Sequence, residues 1–249
     1  MYNYVMYYFE TVNGKKILKS DLITEAQCFF TTRETVIKSA QEGMADSVLG
    51  NKKLLCEYLE VSSENFISPN QTHSGNVEVV CENKYEYPET DGLILTRKNI
   101  AVFLNFADCT PLIFYDERQN IGAVSHAGWR GTAAKIGVTT AEKLIKEFGS
   151  SPEDIKVLIG PAISKCCYNV GEEVFRQLKN TVKNFENLYE IRNDNIYVDL
   201  KNINKTQLNE IGIEKIDVCP YCTCCDNDNF FSYRKENGTT SRHSAVLRL

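Results

Sequence analysis

The chain has 249 residues, 43% hydrophobic and 24% charged, which is enough for a sizeable core and an ordinary globular balance. With 28 basic and 33 acidic residues the net charge is -5, so there is no general attraction for nucleic acid. No segment approaches the roughly 18 consecutive apolar residues of a membrane span, and "MYNYVMYYFETVNGKK" lacks a basic start followed by an apolar run; cytoplasmic residence is the expectation.

In chain order, "YNYVMYYFETVNGKKILKSDLI" predicts a hairpin turning at Asn13-Gly14, and "QCFFTTRE" another strand. Residues 35–50 are ambiguous, whereas Leu54, Leu55, Tyr58 and Leu59 have helical spacing. "NFISPNQTHSGNVEVV" reads as a strand interrupted at Pro69-Asn70 and resuming near Val77. "DGLILTRKNIAVFLNFADCTPLIFYDERQNIGAVSH" supplies three or four strands. "GTAAKIGVTTAEKLIKEFG" predicts one long helix, with Ala134, Ile136, Val138, Ala141, Leu144, Ile145 and Phe148 on or near one face and Gly149 as its cap. "SPEDI" carries a helix-start signature and "KVLIGPAI" is a buried strand. A helix from about Gly171 to Val182, a strand "NIYVDL", a helix near residues 201–211 and a strand "EKIDVCP" follow. The tail "NFFSYRKENGTTSRHSAVLRL" alternates like a hairpin around Asn237-Gly238. The economical reading is one α+β domain over residues 1–249, with mixed β-sheets flanked by helices.

Only three histidines are available: His73 in "NQTHSGN", His126 in "SHAGWRG" and His243 in "SRHSA". His73, His126 and Cys109 in "ADCTP" all sit where a strand gives way to a turn. Imidazole and thiolate suit zinc, and three ligands leave a fourth position open. These would be single residues 36 and 17 positions apart, which favours an open catalytic site over a closed structural one. The plainer alternative is a buried cysteine and two hydrogen-bonded histidines. In "HAGWRGT", Gly128 and Gly131 precede the long helix, whose N-terminus could hold an anion with Arg130 as charge partner; the bland alternative is a tight turn and a solvent-facing arginine. "CPYCTCCD" holds Cys219, Cys222, Cys224 and Cys225, with Cys166-Cys167 upstream. C-x2-C is a half-site for structural zinc or a redox pair, but neighbours such as 224 and 225 point apart in a strand. Packed or loop thiols are therefore the main expectation, and His243 reads as a surface or hydrogen-bonding residue.

"NQTHSGNV", "DGLILT", "ADCTPLIFYD", "IGAVSHAGWRGT", "IGPAISKCCYNVGEEV" and "CCDNDNFFSYRKENGTTSRHSAVLRL" occur in order from about residue 28 to the C-terminus. Together they resemble the laccase-domain, or polyphenol oxidase, family, members of which are also described as purine nucleoside phosphorylases with adenosine deaminase activity. The resemblance implies a metal site at His73, Cys109 and His126, zinc with copper as alternative. It also implies a fold similar to the catalytic domain of the cytotoxic necrotizing factor deamidases. Arg33 in "TTR" matches a family arginine, yet the segment after it is short and lacks the usual glycine-rich loop, so the pocket wall there should differ.

On this reading the protein is a metal-dependent purine nucleoside phosphorylase acting on adenosine, inosine or methylthioadenosine, with adenosine deaminase activity. Asp108 is the candidate proton carrier, with capping a turn as its alternative, and Arg33, Arg130 and Ser74 are candidate substrate-binding residues. Partners would be the nucleoside and phosphate, with no nucleic acid or membrane, in a monomer or homodimer. One rival is copper-dependent phenol oxidation, which uses two histidines and a cysteine at blue-copper sites but needs many more histidines than three. A second is a thiol hydrolase with Cys109 as nucleophile and His126 as base. A third is a metal-stabilised interaction module.

Overall fold

A computed structural model describes residues 6–249. Asn13 (φ 46°) and Gly14 (φ 77°) adopt the left-handed conformation that a tight hairpin turn demands, so β1 (Tyr7–Val12) and β2 (Lys15–Ser20) pair antiparallel as expected. The first residues of that predicted strand, 2–5, lie outside the described residues. After β3 (Gln27–Thr31) comes α1 (Ala45–Tyr58), which takes in residues 45–50 at the end of the ambiguous stretch.

β4 (Phe66–Ile67) and β5 (Val77–Val79) are not one interrupted strand, because β4 joins one six-stranded sheet and β5 the other. The connecting segment crosses between sheets and carries His73. Four continuous apolar runs become β6 (Gly92–Leu95), β7 (Ala101–Phe106), β8 (Thr110–Asp116) and β9 (Ile121–Ala127). The expected long helix is broken: α2 (Trp129–Ala133) ends before Lys135, whose φ of 56° is left-handed, and α3 (Ile136–Phe148) starts afresh. Gly149 (φ 73°) caps it as expected. "SPEDI" makes a turn closed by the Asp154 amide on the Ser151 carbonyl, not a helix start. The apolar run after it is drawn directly into β10 (Ile155–Ile159), between β8 and a later strand.

The remaining elements are β11 (Asn169–Val170), α4 (Glu172–Lys179), β12 (Tyr189–Arg192), β13 (Asn195–Val198), α5 (Leu200–Asn209), β14 (Lys215–Val218) and β15 (His243–Arg248). The tail is not a hairpin. Asn237 and Gly238 do turn, but β15 pairs with β3 on one side and β7 on the other. Its alternation therefore serves a central strand.

The sheets run β1-β2-β3-β15-β7-β4 and β14-β10-β8-β9-β6-β5, with a small third sheet β11-β13-β12. The architecture is α+β with mixed sheets. Phe30, Leu104, Phe106 and Leu247 of the first sheet and Ile113, Val124 and Leu158 of the second share one core. α3 and α5 cover the second sheet's outer face through Ala141, Leu144 and Leu208. Both faces of that sheet are thus buried, which is why β8 and β9 are apolar at nearly every position. His243 belongs to this interior and not to the surface: it is fully buried against Phe106 and Phe230, with Nε2 3.4 Å from the Pro161 carbonyl. No helix among the described residues is long and apolar enough to cross a membrane.

Candidate metal centre and cleft

Two connections cross between the big sheets at the same end, and each delivers a donor. Residues 107–109 link β7 of the first sheet to β8 of the second and end in Cys109; the segment from β4 to β5 carries His73. β9 supplies the third. Its register pairs Pro111 with His126 and Thr110 with Ala127, so Cys109 meets the far end of β9. The result is that one nitrogen from each histidine and the Cys109 sulfur lie within 4.8 Å of one another. The two imidazoles meet edge to face, with centroids 4.8 Å apart.

Asp91, fully buried, sets the orientation of both histidines. It precedes β6, and since Gly92 pairs with Ser125, Asp91 stands across from His126. Its carbonyl accepts the His126 amide at 2.7 Å, and Oδ1 lies 2.8 Å from His126 Nδ1. A carboxylate accepting there places the proton on Nδ1 and leaves Nε2 for Cys109 or a cation. The same carboxylate accepts the amides of Thr72 (3.0 Å), His73 (3.1 Å) and Ser74 (2.7 Å) and the Ser74 hydroxyl (2.8 Å). These bonds hold His73 at φ 62°, a costly conformation for a non-glycine residue, so the ring is presented at a fixed angle.

The charges respond accordingly. Burial opposes ionisation of Cys109, yet His126 and His73 bring its thiol down to about 6. Burial likewise opposes charge on His126, but Cys109 and Asp91 hold it up at about 9. Asp91, against its own burial, is kept well below the usual carboxylate range by hydrogen bonds from His126 and Ser74. Two imidazoles and a thiolate-forming sulfur, one histidine backed by a carboxylate, fit a zinc-type cation as three ligands with one position open.

Gly128 is part of this packing. A Cβ built there would sit 2.9 Å from Cys109 Sγ, closer than real Cβ contacts allow, and 3.1 Å from His73 Cδ2, tighter than most. Gly128→Ala is therefore expected to push the sulfur aside and weaken metal binding about 10–100-fold, a loss of the size that follows from disturbing a metal site's surroundings. Competition with a chromophoric chelator measures it; unchanged affinity would show that the donors have slack.

The donors form the floor of a cleft of about 720 Å³. Lys38, Lys52, Arg234 and Arg242 line it, as do Phe103, Tyr168 and Tyr233. Burial first and Lys38 second lower the Lys52 pKa, a sign of two cations held close together. Asp108 also lines the cleft, at φ 85°; its Oδ1 accepts the Thr223 hydroxyl and Oδ2 the Arg234 amide, both at 2.7 Å.

The other candidate residues lie elsewhere. Arg33 is latched to Glu236 and lies over the Phe231 ring 4.2 Å away, outside the cleft lining. Arg130 is exposed and covers the Trp129 ring at 4.3 Å. The long helix does not open beside it, since α3 starts at Ile136. Ser74 is turned to Asp91 and the Glu89 carbonyl. Sequence reasoning missed Asp91, although "DGLILT" contains it, because an Asp-Gly pair reads as a turn. It also missed the basic wall, whose members are scattered singly from Lys38 to Arg242.

Residues 32–249 match the model of a family described as multi-copper polyphenol oxidoreductase laccase. The chain is 32% identical over 214 residues to the purine nucleoside phosphorylase YlmD of Bacillus subtilis, covering 80% of this chain and 76% of that protein. It is 30% identical over 202 residues to adenosine deaminase RL5 of an unknown prokaryotic organism, covering 76% of each. The crystal structure of the hypothetical protein YfiH of Bacillus licheniformis superposes with a TM-score of 0.88 at 28% identity, over 97% of this chain and 98% of that one.

Proposed function

The chain belongs to the multi-copper polyphenol oxidoreductase laccase family, and on that premise we propose that it is a zinc-dependent purine nucleoside phosphorylase that also deaminates adenosine. The observation that carries this reading is the His73–Cys109–His126 donor set at the floor of a cleft walled by cations and aromatic rings. A zinc ion on those donors would supply Lewis acidity at the cleft floor.

The residues of the chain do the rest. Lys38, Lys52 and Arg242 bind the dianionic phosphate, taking the place that Arg33 and Arg130 were expected to fill. Tyr168 and Tyr233 offer faces on which a purine can stack. In phosphorolysis a phosphate oxygen bonds to the anomeric carbon as the bond to the base breaks, and the electron pair leaves on the purine. Asp108, held as an acceptor in the wall, is assigned to carry the proton that the base or attacking group exchanges.

The test is to incubate zinc-loaded protein with adenosine and phosphate and to separate the products. Adenine, formed only with phosphate, and inosine are both expected. Neither product at micromolar enzyme would overturn the proposal. Lys52→Gln is expected to raise the KM for phosphate about tenfold, the loss of one charged hydrogen bond of about 1.5 kcal/mol, and to leave deamination near the wild-type rate. Equal effects on both reactions would remove Lys52 from the phosphate site.

One observation favours a second reading. Asp91, His126 and Cys109 are strung together as in a thiol hydrolase triad. A nucleophile and its base have no use for a second imidazole beside them, however, and His73 supplies one. Iodoacetamide labelling of Cys109 in zinc-loaded protein would decide for the thiol. Phenol oxidation on copper stays third, because a multicopper cluster needs far more imidazoles than the three in the chain.

A further inference from the structure

Four other cysteines are brought together about a second point. Cys166 and Cys167 follow β10; Cys222 and Cys225 lie in the loop between β14 and β15. The sulfurs of all four lie within 4.8 Å of one another. Cys225 Sγ is 3.6 Å from that of Cys166 and 3.4 Å from that of Cys167. A disulfide would bring two sulfurs to about 2.05 Å. A zinc tetrathiolate, with Zn–S near 2.3 Å, has edges of roughly 3.8 Å. These two separations lie near that edge and well beyond a disulfide bond.

Local backbone explains how neighbours in sequence can share a centre. Residues 166 and 167 are not in a strand: the amides of Cys167 and Tyr168 both close on the Ser164 carbonyl, a tight turn that lets consecutive side chains converge. Cys222 and Cys225 are three apart in a helix-like turn in which the Asp226 amide bonds the Cys222 carbonyl at 2.7 Å. That spacing puts both side chains on one face. Cys224 falls between them and is left out; Cys219 is buried apart in the core. The Ser164 amide donates to Cys222 Sγ at 3.3 Å, a bond that stabilises sulfur as thiolate.

We propose that Cys166, Cys167, Cys222 and Cys225 form a closed tetrathiolate zinc site, separate from the His73 centre. On binding, the thiol protons pass to solvent and four sulfur–zinc bonds form, with no change of oxidation state. The two loops are already joined where the Thr223 amide meets the Ala162 carbonyl, and the ion would clamp that junction. The clamp matters to the cleft because the second loop carries the Thr223 hydroxyl and the Arg234 amide to Asp108.

Metal content distinguishes the sites. The reduced 249-residue chain, dialysed against buffered zinc and analysed by plasma mass spectrometry, should hold two zinc ions. Cys225→Ser, chosen because that thiol is exposed, should hold one and keep its far-ultraviolet dichroism. His73→Ala should also hold one, and its cobalt form should show the intense charge-transfer bands of four thiolates. A wild-type chain that binds a single ion, undiminished in Cys225→Ser, would overturn the proposal. So would a disulfide from Cys225 to Cys166 or Cys167 in the zinc-replete protein. Because the wild-type stoichiometry needs no variant, a misfolded mutant leaves the test intact; loss of the His73 ion alone would speak only against the proposed catalytic site.

Discussion

Asp91→Asn is expected to lose both the metal centre and much of the protein's stability. The carboxylate accepts three backbone amides, the Ser74 hydroxyl and the His126 ring, all from a position with no solvent contact. An amide replaces one acceptor oxygen by a donor, which then faces N–H groups that also donate. Removing one partner of a buried charged pair costs about 3–5 kcal/mol. The His73 loop loses the bonds that keep its left-handed backbone, and His126 loses the partner that fixes its tautomer, so zinc affinity should fall at least 10–100-fold. Urea denaturation and chelator competition measure the two losses. A variant within about 1 kcal/mol of wild type that still binds zinc normally would show that Asp91 is dispensable as an orienting group.

Acid sensitivity should trace to His243. Burial, followed by the charges of Arg242 and Arg33, lowers its pKa to about 3, against an ordinary 6.5, while the bond to the Pro161 carbonyl works the other way. Between those values the unfolded chain takes up a proton that the folded chain refuses. Stability from this group is therefore complete above pH 6.5 and falls by about 1.4 kcal/mol for each unit below it. His243→Gln, whose amide can still donate to Pro161, removes the titration. Unfolding free energies at pH 7, 6 and 5 should decline less steeply in the variant by about that slope. Parallel curves would locate the acid lability elsewhere, and not at Asp91, whose depressed carboxyl takes up protons only below its ordinary 3.8.

The contrast between these two residues bears on how much could be read from the chain alone. β6 to β9 were legible because a sheet covered on both faces needs unbroken apolar runs. Cys109 and His126 were legible for the same reason, each standing at the end of such a run. The break at Lys135 carries no side-chain signal, since a lysine in left-handed conformation looks like any other lysine. β15 was misjudged because alternation reports which face is buried but not which strands lie alongside, and its partners come from residues 27–31 and 101–106. Asp91 escaped notice because its five donors are set by register, which a local motif does not contain. The basic wall was hidden by the same distance: Lys52 rides on α1 and Arg242 precedes β15. Arg33, by contrast, has a recognisable neighbourhood but is spent on Glu236.

Trp129 opens α2 immediately after Gly128, and it is the only indole in the chain. Emission excited beyond the tyrosine absorption band therefore comes from a single fluorophore one residue away from the backbone that packs on the Cys109 sulfur. Occupancy of the floor of the cleft can be followed optically without any label, and a paramagnetic ion placed there would darken the molecule while a closed-shell ion would not.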